Sequence, residues 1–196
     1  MSVRLALFLI LAFLSGCITA YKYDLAYAPD PFAHAPLPAQ TFSVSVTDAR
    51  PYVTHGEKYP FFLGIVRDTY GFPRDVVTRN KTALARQLET DLSSELETLG
   101  LVRSSSPSRL IKIRLRDWNF DTGAHTRFWY DLDLTVTDAT GKSLLTKQIK
   151  NERTFETNVF DTYRELNKLF PNQYTHFIRE VVRDNKEMLT ALQQAS

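Results

Sequence analysis

The chain has 196 residues, of which 24 are Lys or Arg and 22 are Asp or Glu, so its formal net charge at pH 7 is only +2. This near balance, with an isoelectric point of about 8.6, argues against nucleic-acid binding, which usually needs clustered basic residues. The single cysteine excludes an intrachain disulfide, so the hydrophobic core alone must hold the fold.

The first 16 residues have the three-part pattern of a secretory signal peptide and end at the only cysteine, Cys17. Arg4 gives a basic start, and an uncharged apolar stretch then runs from Leu5 to Leu14. The closing sequence Leu14-Ser15-Gly16-Cys17 resembles a lipobox, the signature of bacterial lipoproteins. That resemblance implies that residues 1–16 are removed and that Cys17 carries diacylglycerol and acyl chains such as palmitate.

Two other interpretations of this segment stay open. An uncleaved membrane anchor needs about 20 apolar residues, and the stretch from Leu5 to Ala20 supplies only 16. A signal peptide cleaved elsewhere would leave Cys17 as an unpaired thiol in an exported chain. Because Ile18 is not the aspartate that resembles an inner-membrane retention signal, we expect lipid anchoring at the outer membrane, facing the periplasm.

Residues 17–40 are expected to form the lipidated anchor and a tether rich in Pro and Tyr. Fully extended at about 3.3 Å per residue, the part after Cys17 would span at most about 75 Å. Its tyrosines are expected either at the lipid headgroups, where amphipathic rings are favoured, or against the folded domain. Residues 41–196 are expected to form a single periplasmic domain, which is long enough to bury a sizeable core.

The first half of this domain is predicted to contain two strands and one helix. Phe42, Val44 and Val46 alternate with polar residues, which predicts a half-buried strand, and a second strand is predicted over residues 61–66. A turn follows at residues 70–73. The spacing of apolar residues then predicts an amphipathic helix from about Asp75 to Leu99, with Gly100 as its C-terminal cap.

The second half begins with the clearest strand pattern of the chain. Strands of alternating residues are predicted around 111–116, 128–136 and 144–154, and they form an antiparallel meander. The outward face of the first strand is basic and that of the second is acidic, so we expect favourable cross-strand pairs. A short helix is expected over residues 161–170, and a longer one begins at Pro171.

Each predicted helix has one apolar face only, so the helices should cover a single face of the sheet. The predicted fold class is therefore α+β. Its architecture is a two-layer sandwich, with a mainly antiparallel sheet covered on one face by two amphipathic helices.

Several of these features together resemble the YajG-like family of bacterial lipoproteins. They are the lipobox, the spacer, a strand that ends in Asp48-Ala49-Arg50, a helix that closes on Leu99-Gly100-Leu101, the meander and the final helix. A looser architectural likeness extends to auxiliary lipoproteins of envelope transport and lipopolysaccharide assembly. The resemblance implies a non-catalytic lipoprotein of the cell envelope.

The residue pattern gives no reason to expect an enzyme, a cofactor or a metal site. The four histidines are far apart in the sequence and lack the spacing of metal ligands. Asp131 and Asp133 lie on the same face of one strand and in principle form an acid/base pair. A solvated strand face with cationic neighbours explains them more simply.

Three residues are candidates for contacts with a partner. Asp48 and Arg50 follow the end of a strand, where they form a structural ion pair or present their side chains outward. Alternation directs Trp129 away from Phe128 and Tyr130, which makes it the best candidate for an exposed aromatic contact, with core packing as the alternative.

Two functions are compatible with these features. The first is a structural, assembly or accessory role through contacts with another envelope protein. Under it, Trp129→Ala or Arg50→Ala should weaken partner capture and leave the thermal midpoint nearly unchanged. The second is a lipid- or glycan-binding module whose groove is lined by Phe61, Phe62 and Phe72.

Overall fold

The computed structural model describes residues 20–30, 37–38, 40–68, 70–123, 125–156 and 162–194, except for the side chains of residues 162–165. As predicted, the fold is α+β, with one open sheet and helices on one of its faces. The described strands are β1 (Tyr21–Tyr23), β2 (Thr41–Asp48), β3 (Phe62–Arg67), β4 (Pro73–Thr78), β5 (Val102–Arg103), β6 (Arg109–Thr122), β7 (Thr126–Asp138) and β8 (Ser143–Phe155). The described helices are α1 (Pro51–Thr54), α2 (Leu84–Thr98), α3 (Thr162–Val181) and α4 (Lys186–Gln193).

The long strand β6 organises the sheet. On one side it pairs antiparallel with β7, which pairs antiparallel with β8. Its other edge is shared, because β2 pairs parallel with residues 109–115 and β3 pairs parallel with residues 121–122. Beyond β3 lie β4, antiparallel to it, and β1, parallel to β4, while β5 pairs with β2. The sheet is therefore mixed, and its longest pairings are antiparallel.

The core lies between the sheet and three helices rather than the two that were predicted. Helix α2 contacts β2, α3 contacts β3 and β6, and α4 contacts β7 and β8. Trp118 is completely buried at the centre, where its ring meets the rings of Phe128 and Phe177 edge to face, each with centroids 5.0 Å apart. Such aromatic contacts stabilise a core beyond the area that they bury.

Two predicted helix boundaries are wrong. The helix expected from Asp75 begins at Leu84, because residues 73–78 form β4 and complete a hairpin with β3. Pro171 does not open a new helix but lies inside α3. Proline removes one helical hydrogen bond, yet Phe170 and Tyr174 on either side of it are fully buried, so packing keeps the helix continuous.

The described part of the segment predicted as a tether packs against the domain. Tyr23 in β1 is 7% exposed and meets the ring of Phe170 edge to face, with centroids 5.0 Å apart. The Tyr27 hydroxyl donates to Glu95, and Arg183 donates to the carbonyl oxygen of Asp30 at 3.0 Å. Of the two expectations for the tyrosines, the contacts of these two agree with packing on the domain. Cys17 and the predicted signal peptide lie outside the described residues.

Candidate functional site

The candidate site lies where one edge of β6 changes its partner from β2 to β3. A β-bulge interrupts the β6–β7 pairing between Leu115 and Asp117 at this point. The chain leaves β2 here and returns to the sheet only at Phe62, and the Ala49 amide donates to the Leu115 carbonyl at 2.8 Å. A bulge bends its strand and redirects nearby side chains, so this crossing brings together groups from β2, α1, β6 and β7.

Arg50 connects the two strands that share this edge. Its side chain is fully buried, and Nε and one terminal nitrogen donate to the two carboxylate oxygens of Asp48 at 2.8 and 2.7 Å. Further N–H groups donate to the carbonyl oxygens of Phe62 and Pro60 at 2.8 and 3.0 Å. A two-pronged arginine–carboxylate pair of this kind is geometrically specific. The contacts are those of the structural ion pair, and the buried guanidinium is not presented outward.

Tyr52 extends the cluster across the bulge. The Arg50 guanidinium lies 5.5 Å from the centre of the Tyr52 ring. The Tyr52 hydroxyl donates to the Trp118 carbonyl and lies 3.5 Å from Asp117 Oδ1. Burial raises the pKa of Tyr52 to about 12, although the charge of Arg50 acts in the opposite direction. The hydroxyl therefore remains a hydrogen-bond donor well above neutral pH, beyond the range of an exposed tyrosine.

Trp129 completes the cluster on the sheet face that the helices do not cover. Its indole Nε1 donates to Asp117 Oδ2 at 2.9 Å, and the Arg127 guanidinium lies 5.5 Å from its ring centre. Trp129 is half-buried, whereas Phe128 and Tyr130 point into the core, as alternation predicts. We call Asp48, Arg50, Tyr52, Asp117 and Trp129 the Asp48–Trp129 network.

The structure thus joins all three candidate residues, but through two residues that sequence reasoning missed. Nothing near Tyr52 in the sequence signals its role. Asp117 does have a signal, because the buried residues of β6 change from odd positions up to Leu115 to even positions from Trp118. Strand alternation cannot change in this way without an irregularity, so the change predicts a bulge that leaves Arg116 and Asp117 on the same side.

The outer face of the meander is polar and its charges are complementary, as predicted. Arg114 pairs in register with Asp133, and Arg116 lies 3.3 Å from the same carboxylate. Asp131 pairs in register with Lys150 and accepts a hydrogen bond from Gln148 at 2.8 Å. These contacts agree with the simpler interpretation of the two aspartates.

The described residues form neither a metal centre nor the predicted phenylalanine groove. In them, no three His, Cys, Asp or Glu side chains are placed to hold a metal ion. Phe62 is buried beside Tyr52, whereas Phe72 is exposed. Phe62 pairs in register with Val77, and Phe72 lies five positions before Val77, so Phe62 and Phe72 are about 16 Å apart along the strand direction. Phe61 stacks on Tyr59 instead. The three rings therefore do not form one wall.

Two clefts of the described surface are both lined largely by polar side chains. One of about 410 Å³ includes Glu89, Arg103 and Ser104. The other, of about 420 Å³, lies by the β6–β7 turn and includes Arg67, His125 and Arg127.

The fold and the network define a two-layer α+β domain whose candidate site is a largely buried polar network that reaches the surface at Trp129. No family model matches the sequence, and no curated protein matches it. Among solved structures, the protein XCC0632 from Xanthomonas campestris, described with the family model DUF330, is similar in fold. It has a TM-score of 0.62 and 15% sequence identity, over 90% of this chain and 98% of that protein.

Two solved lipoproteins are similar at lower scores, which carry no argument about this chain. The minor lipoprotein from Acinetobacter baumannii has a TM-score of 0.43 and 11% identity, over 76% of this chain and 92% of its own. The rare lipoprotein B from Shewanella oneidensis has a TM-score of 0.41 and 10% identity, over 79% and 99%. Within the part of the chain described here, no helix has the length and apolar character to span a membrane.

Proposed function

We propose that the protein is a non-catalytic outer-membrane lipoprotein of the YajG-like type. In this proposal it is anchored through lipid on Cys17, faces the periplasm, and acts as a structural, assembly or accessory component of the cell envelope by binding another protein. The anchor is supported by the lipobox-like sequence Leu14-Ser15-Gly16-Cys17.

The observation that carries the protein-binding role is the uncovered face of the meander. Strands of 14, 13 and 13 residues leave this face open to solvent, with the half-buried Trp129 beside the exposed Arg127. Tryptophan and arginine are enriched in protein–protein interfaces. The Asp117 carboxylate fixes the indole, so little side-chain entropy would be lost on binding.

The anchor and the partner are tested by crosslinking in cells, followed by mass spectrometry of the membrane fraction. A specific protein captured by the wild type but not by Cys17→Ser supports an anchored assembly role. If the lipidated protein is in the outer membrane and captures no protein, the protein-binding proposal is wrong and lipid or glycan binding becomes the better hypothesis.

The contact surface is tested with two variants of Trp129. Trp129→Ala removes the ring and should weaken capture most, whereas Trp129→Phe keeps a smaller aromatic ring without the bond to Asp117 and should retain part of the capture. Lys112→Ala, which changes an exposed residue on the same face, is the control. Unchanged capture by Trp129→Ala contradicts this site. Arg50→Ala is unsuitable as a contact probe, because burial of Arg50 means that its loss lowers the thermal midpoint.

A further inference from the structure

One end of the sheet carries two strongly exposed aromatic side chains. Tyr70 is 84% exposed and Phe72 is 64% exposed, and both lie in the turn between β3 and β4. The Asp68 carboxylate accepts hydrogen bonds from the backbone N–H groups of both residues at 3.0 Å, which fixes the turn. We call residues 70–72 the aromatic turn.

The N-terminal chain enters the fold beside this turn. Strand β1 runs parallel to β4 and begins at Tyr21, opposite Val76. The chain therefore enters from the side where β4 itself begins. Tyr21 lies four positions after Cys17, a distance of at most about 13 Å. Phe72 precedes Val76 by four positions as well, about 13 Å along the strand.

The opposite end of the sheet is beyond the reach of Cys17. Val76 pairs with Gly64, which lies directly against the backbone of Phe120 in β6. From Phe120 back to Arg109 there are eleven residues, or about 36 Å of strand. Arg109 pairs with Asp138, where the β7–β8 turn begins. A connection of at most about 13 Å cannot place Cys17 at that turn.

We propose that the aromatic turn rests on the surface of the bilayer that holds the lipid anchor. This inference rests on the proposed acylation of Cys17 and adds an orientation to it. Tyrosine is favoured at the membrane interface because its ring has an apolar body and a polar tip. The cleft by the neighbouring β6–β7 turn places Arg67, which pairs with Asp121 at 3.0 Å, His125 and the exposed Arg127 at the same end. In the proposed orientation the Arg127 guanidinium would face the lipid phosphates. The β7–β8 turn then points away from the membrane.

The test uses the full-length acylated protein with one added cysteine. Cys17 is the only native cysteine, and in the proposed lipidation its sulfur forms a thioether with diacylglycerol, so an added cysteine would be the only free thiol. Phe72→Cys and His125→Cys place an environment-sensitive fluorophore at the proximal end, and Thr140→Cys places it in the exposed β7–β8 turn. Each protein is reconstituted into vesicles of phosphatidylethanolamine and phosphatidylglycerol that contain a headgroup-attached nitroxide quencher.

We expect the label at Phe72 to lose most of its emission to the quencher, the label at His125 to lose part of it, and the label at Thr140 to be unaffected. Equal quenching at Phe72 and Thr140, or none at Phe72, overturns the orientation. Mass spectrometry of the N-terminal peptide separates the two proposals. An acylated protein whose proximal labels are not quenched contradicts only the orientation, whereas an unacylated Cys17 contradicts both.

Discussion

Replacing Arg50 should destabilise the fold far more than replacing a surface arginine that lies equally close to its carboxylate partner. Arg50→Ala removes the partner of Asp48, which is itself largely buried, and also leaves the carbonyl oxygens of Phe62 and Pro60 without this donor. Breaking a buried ion pair by removing one partner costs about 3–5 kcal/mol. Because the Asp48 side chain retains 14% exposure and water can reach it, we expect a loss of about 3 kcal/mol.

Arg79 provides the matched control. It lies 2.7 Å from Asp24, the same distance as in the Arg50–Asp48 pair, but the side chains of Arg79 and Asp24 are both more than half exposed. An exposed pair contributes about 0.2–1 kcal/mol, so Arg79→Ala should have a small effect. In a domain of this size, the expected loss for Arg50→Ala lowers Tm by about 6–12 °C.

The free energy of unfolding of both variants is measured by urea unfolding of residues 18–196, with tryptophan fluorescence and far-UV circular dichroism as independent probes. The double variant Asp48→Asn with Arg50→Ala should recover part of the loss, because no uncompensated carboxylate remains. If Arg50→Ala costs no more than Arg79→Ala, the buried network does not hold the two strands together and the reasoning is refuted.

Three further predictions follow from the core and the sheet edge. In Gly64→Ala the new Cβ would lie 2.2 Å from the Phe120 carbonyl oxygen, so the free energy of unfolding in urea should fall by about 3 kcal/mol. Gly123→Ala is the control, because its nearest neighbour is 3.7 Å away and its free energy of unfolding should change by no more than about 0.5 kcal/mol. Equal losses in the two variants would contradict the close approach of the strands. The free energy of unfolding should fall as the pH rises from 10 through 12, because the unfolded chain releases the Tyr52 proton at a lower pH than the folded protein. In urea titrations at several pH values, Tyr52→Phe should make the free energy of unfolding less dependent on pH in this range. An unchanged pH dependence counts against a buried hydroxyl. Tyr23→Ala should cost about 3 kcal/mol and speed proteolysis of residues 20–30, and unchanged proteolysis would mean that β1 is not docked.

The meander was predictable because strand alternation is a local property of the sequence. Along β7 and β8, and on either side of the bulge in β6, side chains largely alternate between the core and the outer face, so residue identity indicates the buried side. The outward direction of Trp129 followed from the same rule. What alternation does not give is the partner of each outward side chain, and the bond from Trp129 to Asp117 also needed the bulge.

The parts that were missed depend on contacts between distant residues. The three-residue strand β1 has no period of its own and forms because β4 offers an edge. Val77 in β4 also fits a helical apolar spacing, so the local pattern predicts the start of a helix where the strand forms. The burial of Arg50 was not predictable, because it depends on carbonyl groups 10 and 12 residues later that the β2–β3 crossing brings to it.

The shared edge of β6 also bears on the order in which the chain folds. Strands β6, β7 and β8 follow one another through short turns, whereas β2 pairs with β6 across 67 residues, from Phe42 to Arg109. Contacts between distant segments carry a larger loop-closure cost and slow folding. We expect pulsed hydrogen exchange to show protection of β7 before β2, and the reverse order would contradict this. Before β2 pairs with it, the edge of β6 would be exposed, and an unpaired strand edge is a template for aggregation.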